Sequence, residues 1–272
     1  MKLIEGGVCA AKGFTANGVH CGIRKNHSKK DLALILSCVP ASAAAVYTTN
    51  LVKGAPLAVT KNHISNGFAQ AVICNSGNAN TCNANGIEIA EAMSDLVAKA
   101  LNIDANDVIV ASTGVIGQPL SIDPIAAGLP GLAAGLSAEG GAAAAEAIMT
   151  TDTVMKEVAV EFEVDGKVCH MGGIAKGSGM IHPNMATMLV FLTTDCAIVP
   201  DMLQKALSGD IANTFNMISV DGDTSTNDMV SILANGMAGN ETITAEGEAF
   251  NTFMKALNTV TIALQDTDRS GR

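Results

Sequence analysis

The chain of 272 residues has no tryptophan, one tyrosine (Tyr47) and seven phenylalanines, so aromatics make up 3% of it. A core must therefore be built from Ala, Val, Ile, Leu and Met, which the 48% hydrophobic content supplies. Charged residues are also scarce, at 15%, and their balance is acidic, with a formal net charge of −10. That sign argues against a nucleic-acid partner or an anionic membrane surface. No apolar run approaches the ~18 residues of a membrane span, and Met1-Lys2-Leu3-Ile4-Glu5 has no signal-peptide core. The chain contains no charge block, proline-rich linker or tandem repeat. The seven cysteines, Cys9, Cys21, Cys38, Cys74, Cys82, Cys169 and Cys196, include no CxxC pair and no histidine at metal-ligand spacing. They read as buried or half-buried free thiols of a cytoplasmic protein.

The length suits one large domain or two smaller ones. Gly86 to Leu101 has Ile89, Met93, Leu96, Val97 and Ala100 on one helical face, and alanine-rich Ala142 to Met149 is a second helix. Helices are also expected from Pro200, with Leu203, Ala206 and Leu207 inward, and over Ala245 to Leu264. Val108 to Ala111 reads as a short buried strand running into Ser112-Thr113-Gly114. Val158 to Met171 reads as a hairpin, with alternating Val158, Val160, Phe162 and Val164 and the favoured turn Asp165-Gly166. The return strand, Lys167 to Met171, is expected to feed a loop from Gly172 to Met185. This mixture of strands and helices indicates an α/β or α+β sandwich.

Three familiar site patterns fail. Lys176 precedes Gly177 and Gly179, whereas a phosphate-cradling loop needs its lysine after the second glycine. A dinucleotide fingerprint would place a third glycine at His182. Asp221, Asp223 and Asp228 resemble a calcium loop, but the twelfth position from Asp221 is Ile232 rather than glutamate.

What remains is Thr187. A glycine- and proline-bearing loop ends in small Ala186, then comes the threonine, then the apolar run Met188-Leu189-Val190-Phe191-Leu192. A threonine hydroxyl is a poor nucleophile without an adjacent base. Cleavage at Ala186-Thr187 would create an α-amine titrating near ~7.7–8, joining nucleophile and base in one residue. The plainer reading is a β-forming threonine that opens a buried strand. Lys176 likewise reads either as a grip for a substrate carboxylate or as a solvated surface lysine. Thr113-Gly114 reads either as an ordinary turn or as a tip whose Gly114 N–H, with the Thr113 hydroxyl or N–H, faces an oxyanion.

Six segments in order resemble ornithine acetyltransferases, also called glutamate N-acetyltransferases. They are Gly6 to Phe14, Asn75 to Asn80, Ser112 to Gly117, Ile148 to Thr153, Lys176 to Leu189 and Ser219 to Asp228, and they cover residues 6 to about 240. The resemblance implies an αββα sandwich of the self-cleaving amino-terminal-nucleophile type, like that of related aminopeptidases. It implies self-cleavage between Ala186 and Thr187 into residues 1–186 and 187–272, with Thr187 as nucleophile, Thr113 and Gly114 as the oxyanion hole, and Thr150, Lys176 and Thr187 binding substrate. Thr151 competes with Thr150 on residue type alone. The implied reaction is ping-pong transfer of acetyl from N-acetylornithine to glutamate in arginine biosynthesis, without metal or cofactor. Acetyl-CoA is a co-substrate in some members, and the assembly is a heterotetramer of two α and two β chains. A related aminopeptidase or amidohydrolase is the alternative. The resemblance breaks near Ile262 to Arg272, where the family's Asp-Gly-Glu-Gly-Ala-Thr-Lys run and its substrate-contacting glutamate have no counterpart. The expectation is a truncated or frame-shifted chain, inactive in the extreme case, with apolar faces and sheet edges left uncovered.

Overall fold

Alternation of apolar residues sets the strands, and one long strand ties them together. The computed structural model describes residues 1–177, 188–214 and 225–270. Along the chain run β1 (Lys2–Ile4), β2 (Phe14–Val19), β3 (Leu32–Tyr47), α1 (Ala55–His63), β4 (Phe68–Asn75), α2 (Gly86–Leu101), β5 (Val108–Ser112), α3 (Asp123–Ala134), α4 (Gly141–Ile148), β6 (Lys156–Val164), β7 (Lys167–Lys176), β8 (Leu189–Thr194), α5 (Pro200–Asn213), β9 (Met229–Ala234) and α6 (Glu248–Ser270). Among the described residues the strands are ordered β1-β6-β7-β8-β9-β3-β4-β5, with β2 also on β3. The pairs β4–β5 and β8–β9 are parallel, and the others are antiparallel.

β3 belongs to both halves of this sheet. Its first part, Leu32 to Ser37, pairs with β2, and its last part, Ser42 to Tyr47, pairs with β9. Between them the register with β4 shifts from Leu36 to Ala41. Pro40 lies in that shift, where it withholds no ladder hydrogen bond and lets the strand bend. The two halves stack face to face. Small residues fill the layer between them: Ala33, Ala43, Ala45, Ala69 and Ala111 from strands, and Ala144, Ala145 and Ala147 from α4, with Phe14 and Phe191 as the large members. Outside β6–β9 lie α5 and α6, whose Leu203, Leu207, Phe253 and Leu257 meet Val160, Phe162 and Val190. Phe162 and Phe253 pack edge to face at 6.5 Å. Outside β3–β5 lie α2 and α3, through Met93, Val97, Ile125 and Leu129. The αββα sandwich expected by resemblance is present.

Most expected elements fall within a residue or two of the observed ones. α6 begins at Glu248 and extends to Ser270. Two expectations fail. Gly172 to Lys176 is strand rather than loop, pairing with β6 on one side and β8 on the other. The glycines serve close approach there: a Cβ at Gly172 would lie 1.8 Å from the Gly7 carbonyl oxygen, and one at Gly173 would lie 2.5 Å from Leu192. Cys38 and Cys82 are exposed, against the expectation that all the thiols are at least half-buried.

Candidate active site

Parallel strands end together, and here that places two loops side by side. β4 ends at Asn75 and β5 at Ser112, directly paired in register. The Asn75 side chain joins the two strand ends and shapes the turn after β4. Its Nδ2 donates to Ser112 Oγ (2.7 Å), and its Oδ1 accepts from Gly77 N (3.1 Å) and Asn78 N (3.0 Å). Asn78 Oδ1 accepts from Asn80 N (2.8 Å), and Asn78 Nδ2 donates to the Gln118 carbonyl (3.0 Å). Asn80 and Cys82 both hold positive φ, a local strain that this network maintains.

Thr113 and Gly114 sit at the tip. The Thr113 N–H donates to the Asn75 carbonyl at 2.9 Å, so it is not available to an oxyanion, and the expectation narrows to its hydroxyl. Gly114 has φ of 125°, and an added Cβ would lie 2.6 Å from Gly77 C and 2.8 Å from Asn78 N. Only glycine fits against that backbone. The Gly114 N–H makes no hydrogen bond among the described residues. Two donors are thus available at the tip, the Gly114 N–H and the Thr113 hydroxyl, both of group types that can face an oxyanion.

The facing wall is charged and buried. Lys176, placed by sequence in a loop, is the last residue of β7, opposite Leu189 of β8, and only 4% exposed. It is therefore no solvated lysine. Its Nζ donates to Thr113 Oγ1 at 3.3 Å, leaving that hydroxyl its own proton to give. Burial lowers the Lys176 ammonium from its ordinary value, opposed by Asp152 and Asp228. Asp152 accepts from Lys156 Nζ (3.1 Å), Gly177 N (2.8 Å) and Thr150 N (2.9 Å). Lys156 Nζ also donates to the Gly177 carbonyl. Burial pushes the Asp152 carboxyl up, but the Gly177 and Thr150 N–H groups and the two lysines overcome it and hold it below the usual range. Asp228 behaves oppositely. Burial raises its carboxyl to about 8, against the weaker pull of the Met188 N–H, the Ser225 hydroxyl and Lys176. Asp228 Oδ1 accepts from Met188 N at 2.9 Å, while its buried Oδ2 makes no hydrogen bond among the described residues.

Between the walls lies a cavity of about 690 Å³ lined by Arg24, Ser76, Gly77, Thr113, Gly114, Thr150, Thr151, Lys176 and Asn227, among others. Thr113, Gly114, Thr150 and Lys176 are therefore brought together as expected. Thr151 lines the same space, so placement does not separate it from Thr150. Ala186 and Thr187 lie outside the described residues, as do His182, Asp221 and Asp223. The Met188 N–H bonded to Asp228 belongs to the peptide that joins residue 188 to Thr187. No acidic side chain lines the cavity, and no cluster of three His, Cys, Asp or Glu side chains is placed to hold a metal, in both cases among the described residues.

Sequence reading gave no site role to five residues here: Arg24, Asp152, Lys156, Asn227 and Asp228. Asp152 and Lys156 have the spacing of a helical ion pair, yet Asp152 lies in irregular chain and Lys156 begins β6. Asn227 satisfies both ends of its amide, donating to the Ala79 (2.7 Å) and Ser112 (2.9 Å) carbonyls and accepting from Thr81 Oγ1 (2.6 Å) and Thr226 Oγ1 (2.5 Å). It thereby ties the approach to β9 to the loops after β4 and β5.

A sequence model of the ArgJ family matches residues 15–267. The arginine biosynthesis bifunctional protein ArgJ of Symbiobacterium thermophilum is 52% identical over 266 residues, which are 97% of this chain and 66% of that protein. The chain thus spans just under two thirds of that relative's length. The ornithine acetyltransferase of Mycobacterium tuberculosis, solved in complex with ornithine, superposes with a TM-score of 0.61 at 37% identity. The match covers 69% of this chain and 99% of that one. The l-aminopeptidase d-ala-esterase/amidase of Ochrobactrum anthropi, described as a variant of the Ntn-hydrolase fold, gives a TM-score of 0.52 at 13% identity, covering 96% of this chain and 86% of that one. That likeness is one of fold alone. The family match extends to residue 267, past the six motifs, which end near residue 240, and into the Ile262 to Arg272 stretch where the resemblance was expected to break.

Proposed function

The chain belongs to the ArgJ family, and from that premise we propose that it is a self-cleaving acetyltransferase acting between N-acetylornithine and glutamate in arginine biosynthesis. The observation that carries this reading is the convergence of the Gly114 N–H, which makes no hydrogen bond among the described residues, the Thr113 hydroxyl and buried Lys176 on one cavity.

Self-cleavage begins with attack of Thr187 Oγ1 on the Ala186 carbonyl. Hydrolysis of the resulting ester leaves a carboxylate on Ala186 and a free α-amine on Thr187. In the transfer reaction that amine takes the hydroxyl proton as Oγ1 attacks the acetyl carbon of N-acetylornithine. The Gly114 N–H and the Thr113 hydroxyl hold the oxyanion. The carbon–nitrogen bond breaks, ornithine leaves with the proton, and acetyl remains on Thr187. The amine of glutamate then attacks that ester, giving N-acetylglutamate and free Thr187. Lys176 and Thr150 hold substrate, with the Lys176 ammonium on a carboxylate. Acetyl-CoA is a second acetyl donor in this scheme.

Topology supports a cleaved yet intact assembly. β8 and β9 lie between β7 and β3, so products 1–186 and 187–272 would interleave within one sheet. Separating them means breaking ladders on both sides of the β8–β9 pair. The share matched by the M. tuberculosis chain, 69%, is close to that of residues 1–186, which are about 68% of 272. The reading also includes association of two α and two β chains and a cytoplasmic setting.

The test is an intact mass of the purified protein beside Thr187→Ala. Two masses breaking between Ala186 and Thr187, replaced by one in the variant, are the expected result. A single uncut mass in both proteins refutes the nucleophile assignment. Product analysis with and without glutamate then separates transfer from hydrolysis. Acetate release independent of glutamate would make the protein an amidohydrolase.

A further inference from the structure

Residues 24–30 read Arg-Lys-Asn-His-Ser-Lys-Lys and hold four of the chain's sixteen Lys and Arg, with no acidic residue, although the chain carries a net −10. The segment is an ordered loop. At its base the Asp31 carboxylate accepts from Cys21 N (2.7 Å) and Arg24 N (2.9 Å), and His20 Nδ1 lies 2.9 Å from the Lys29 carbonyl. Within it Asn26 Oδ1 accepts from Ser28 N (3.0 Å), and the Asn26 carbonyl accepts from Lys29 N (3.2 Å). Lys30 pairs with Glu146 at 2.8 Å, while Lys25 and Lys29 are exposed and make no ion pair among the described residues.

The loop is seated on the wall that carries the oxyanion donors. Arg24 donates to the Ser76 carbonyl through Nε (3.0 Å) and Nη2 (2.6 Å), and Ile23 and Arg24 lie against Gly77, where an added Cβ would meet Ile23 at 2.4 Å. Gly77 in turn abuts Gly114. Arg24 and Lys176 are the charged side chains lining the cavity among the described residues, and both are cations. A cavity with one sign of charge concentrates ligands of the other sign, and an acidic chain would otherwise repel them.

We propose that residues 24–30 form a cationic collar that captures the multiply anionic co-substrate at the cavity mouth. The shared ligand chemistry is two or more negative charges, carried either by the dicarboxylate side of the acetyl transfer or by the phosphates of a nucleotide-bearing acyl donor. The proposal rests on the acetyl-transfer reading for the identity of these anions.

The test is equilibrium titration calorimetry on the whole protein and on the double variant Lys25→Gln/Lys29→Gln, at about 20 and 200 mM salt, where the screening length changes severalfold. The ligands are N-acetylglutamate, coenzyme A and the zwitterion N-acetylornithine. Charges on the order of 10 Å apart at high dielectric give an expected weakening of N-acetylglutamate or coenzyme A by about three- to tenfold at low salt. Most of that difference should vanish at high salt, with N-acetylornithine changed less than about twofold. The anion that loses more identifies the source that the collar serves. Equal weakening of all three ligands, no weakening, or no binding of either anion by the unaltered protein overturns the proposal. Binding does not require turnover. A protein that shows this pattern but transfers no acetyl group refutes the reaction and keeps the collar, and active transfer without the pattern does the reverse.

Discussion

The two walls of the cavity are built on opposite principles. The loops after β4 and β5 are held mainly by neutral hydrogen bonds, in which Asn75, Asn78 and Asn227 satisfy backbone groups, with the Arg24 guanidinium adding a charged contact to the Ser76 carbonyl. The wall at the end of β7 is held by buried charge, with Asp152 between two lysines and Asp228 beneath the Met188 N–H. A neutral wall fixes positions and is indifferent to pH. A charged wall stabilises only while every partner is present, because each ion has left water at a large cost. The first suits donors that must not move, and the second suits groups that must hold a substrate charge.

Removing Asp152 should break this contrast most severely. Asp152→Ala removes the buried carboxylate that accepts from Lys156 Nζ and from the Gly177 and Thr150 N–H groups, and should cost about 3–5 kcal/mol of unfolding free energy, measurable by urea denaturation. A loss below about 1 kcal/mol would mean that water reaches this wall. Gly114→Ala attacks the neutral wall. Positive φ and the backbone contacts at 2.6–2.8 Å should cost about 2–4 kcal/mol. Acetyl transfer should fall by about a hundredfold or more, because the donor N–H is displaced. Retained transfer would remove Gly114 from the oxyanion role.

The smallest effect is also the most specific. Asp228 holds its proton in the fold up to about 8, far above its value in an unfolded chain. Its contribution to stability is therefore complete below the unfolded pKa, near ~3.9, and is lost as the pH rises through about 8. Asp228→Asn should remove that part of the decline, so the melting temperatures of the two proteins should converge or cross as the pH rises from about 4 to 8. Parallel curves would show that Asp228 is already ionised. Neutral-wall variants such as Asn75→Ala should shift the whole curve without changing its shape.

Local pattern carried much of the architecture. The helix at Gly86–Leu101 and the Asp165-Gly166 hairpin arise from periodicity and turn chemistry, which act over a few residues. The Thr113-Gly114 tip was legible because a strand that ends in Thr-Gly exposes its backbone. The strand Gly172–Lys176 was not legible, since a Gly-Gly pair signals a loop when read alone and becomes a packing device only against Gly7 and Leu192. The same holds for Lys176, whose role depends on burial.

The sequence by itself determined the acidic balance, the aromatic-poor core, the order of the motifs and the candidate nucleophile, because each depends on composition or near-neighbour spacing. The tertiary structure decided which Thr113 donor is spent, that Asp152 and Lys156 share the charged wall with Lys176, that Asp228 keeps its proton, and that the basic loop at residues 24–30 stands against Gly77, next to Gly114. Such contacts join residues far apart in the chain, 63 positions for Lys176 with Thr113 and 52 for Arg24 with Ser76. Hydrogen-bond satisfaction and charge burial are properties of what surrounds a group in space, and only the fold specifies that surrounding.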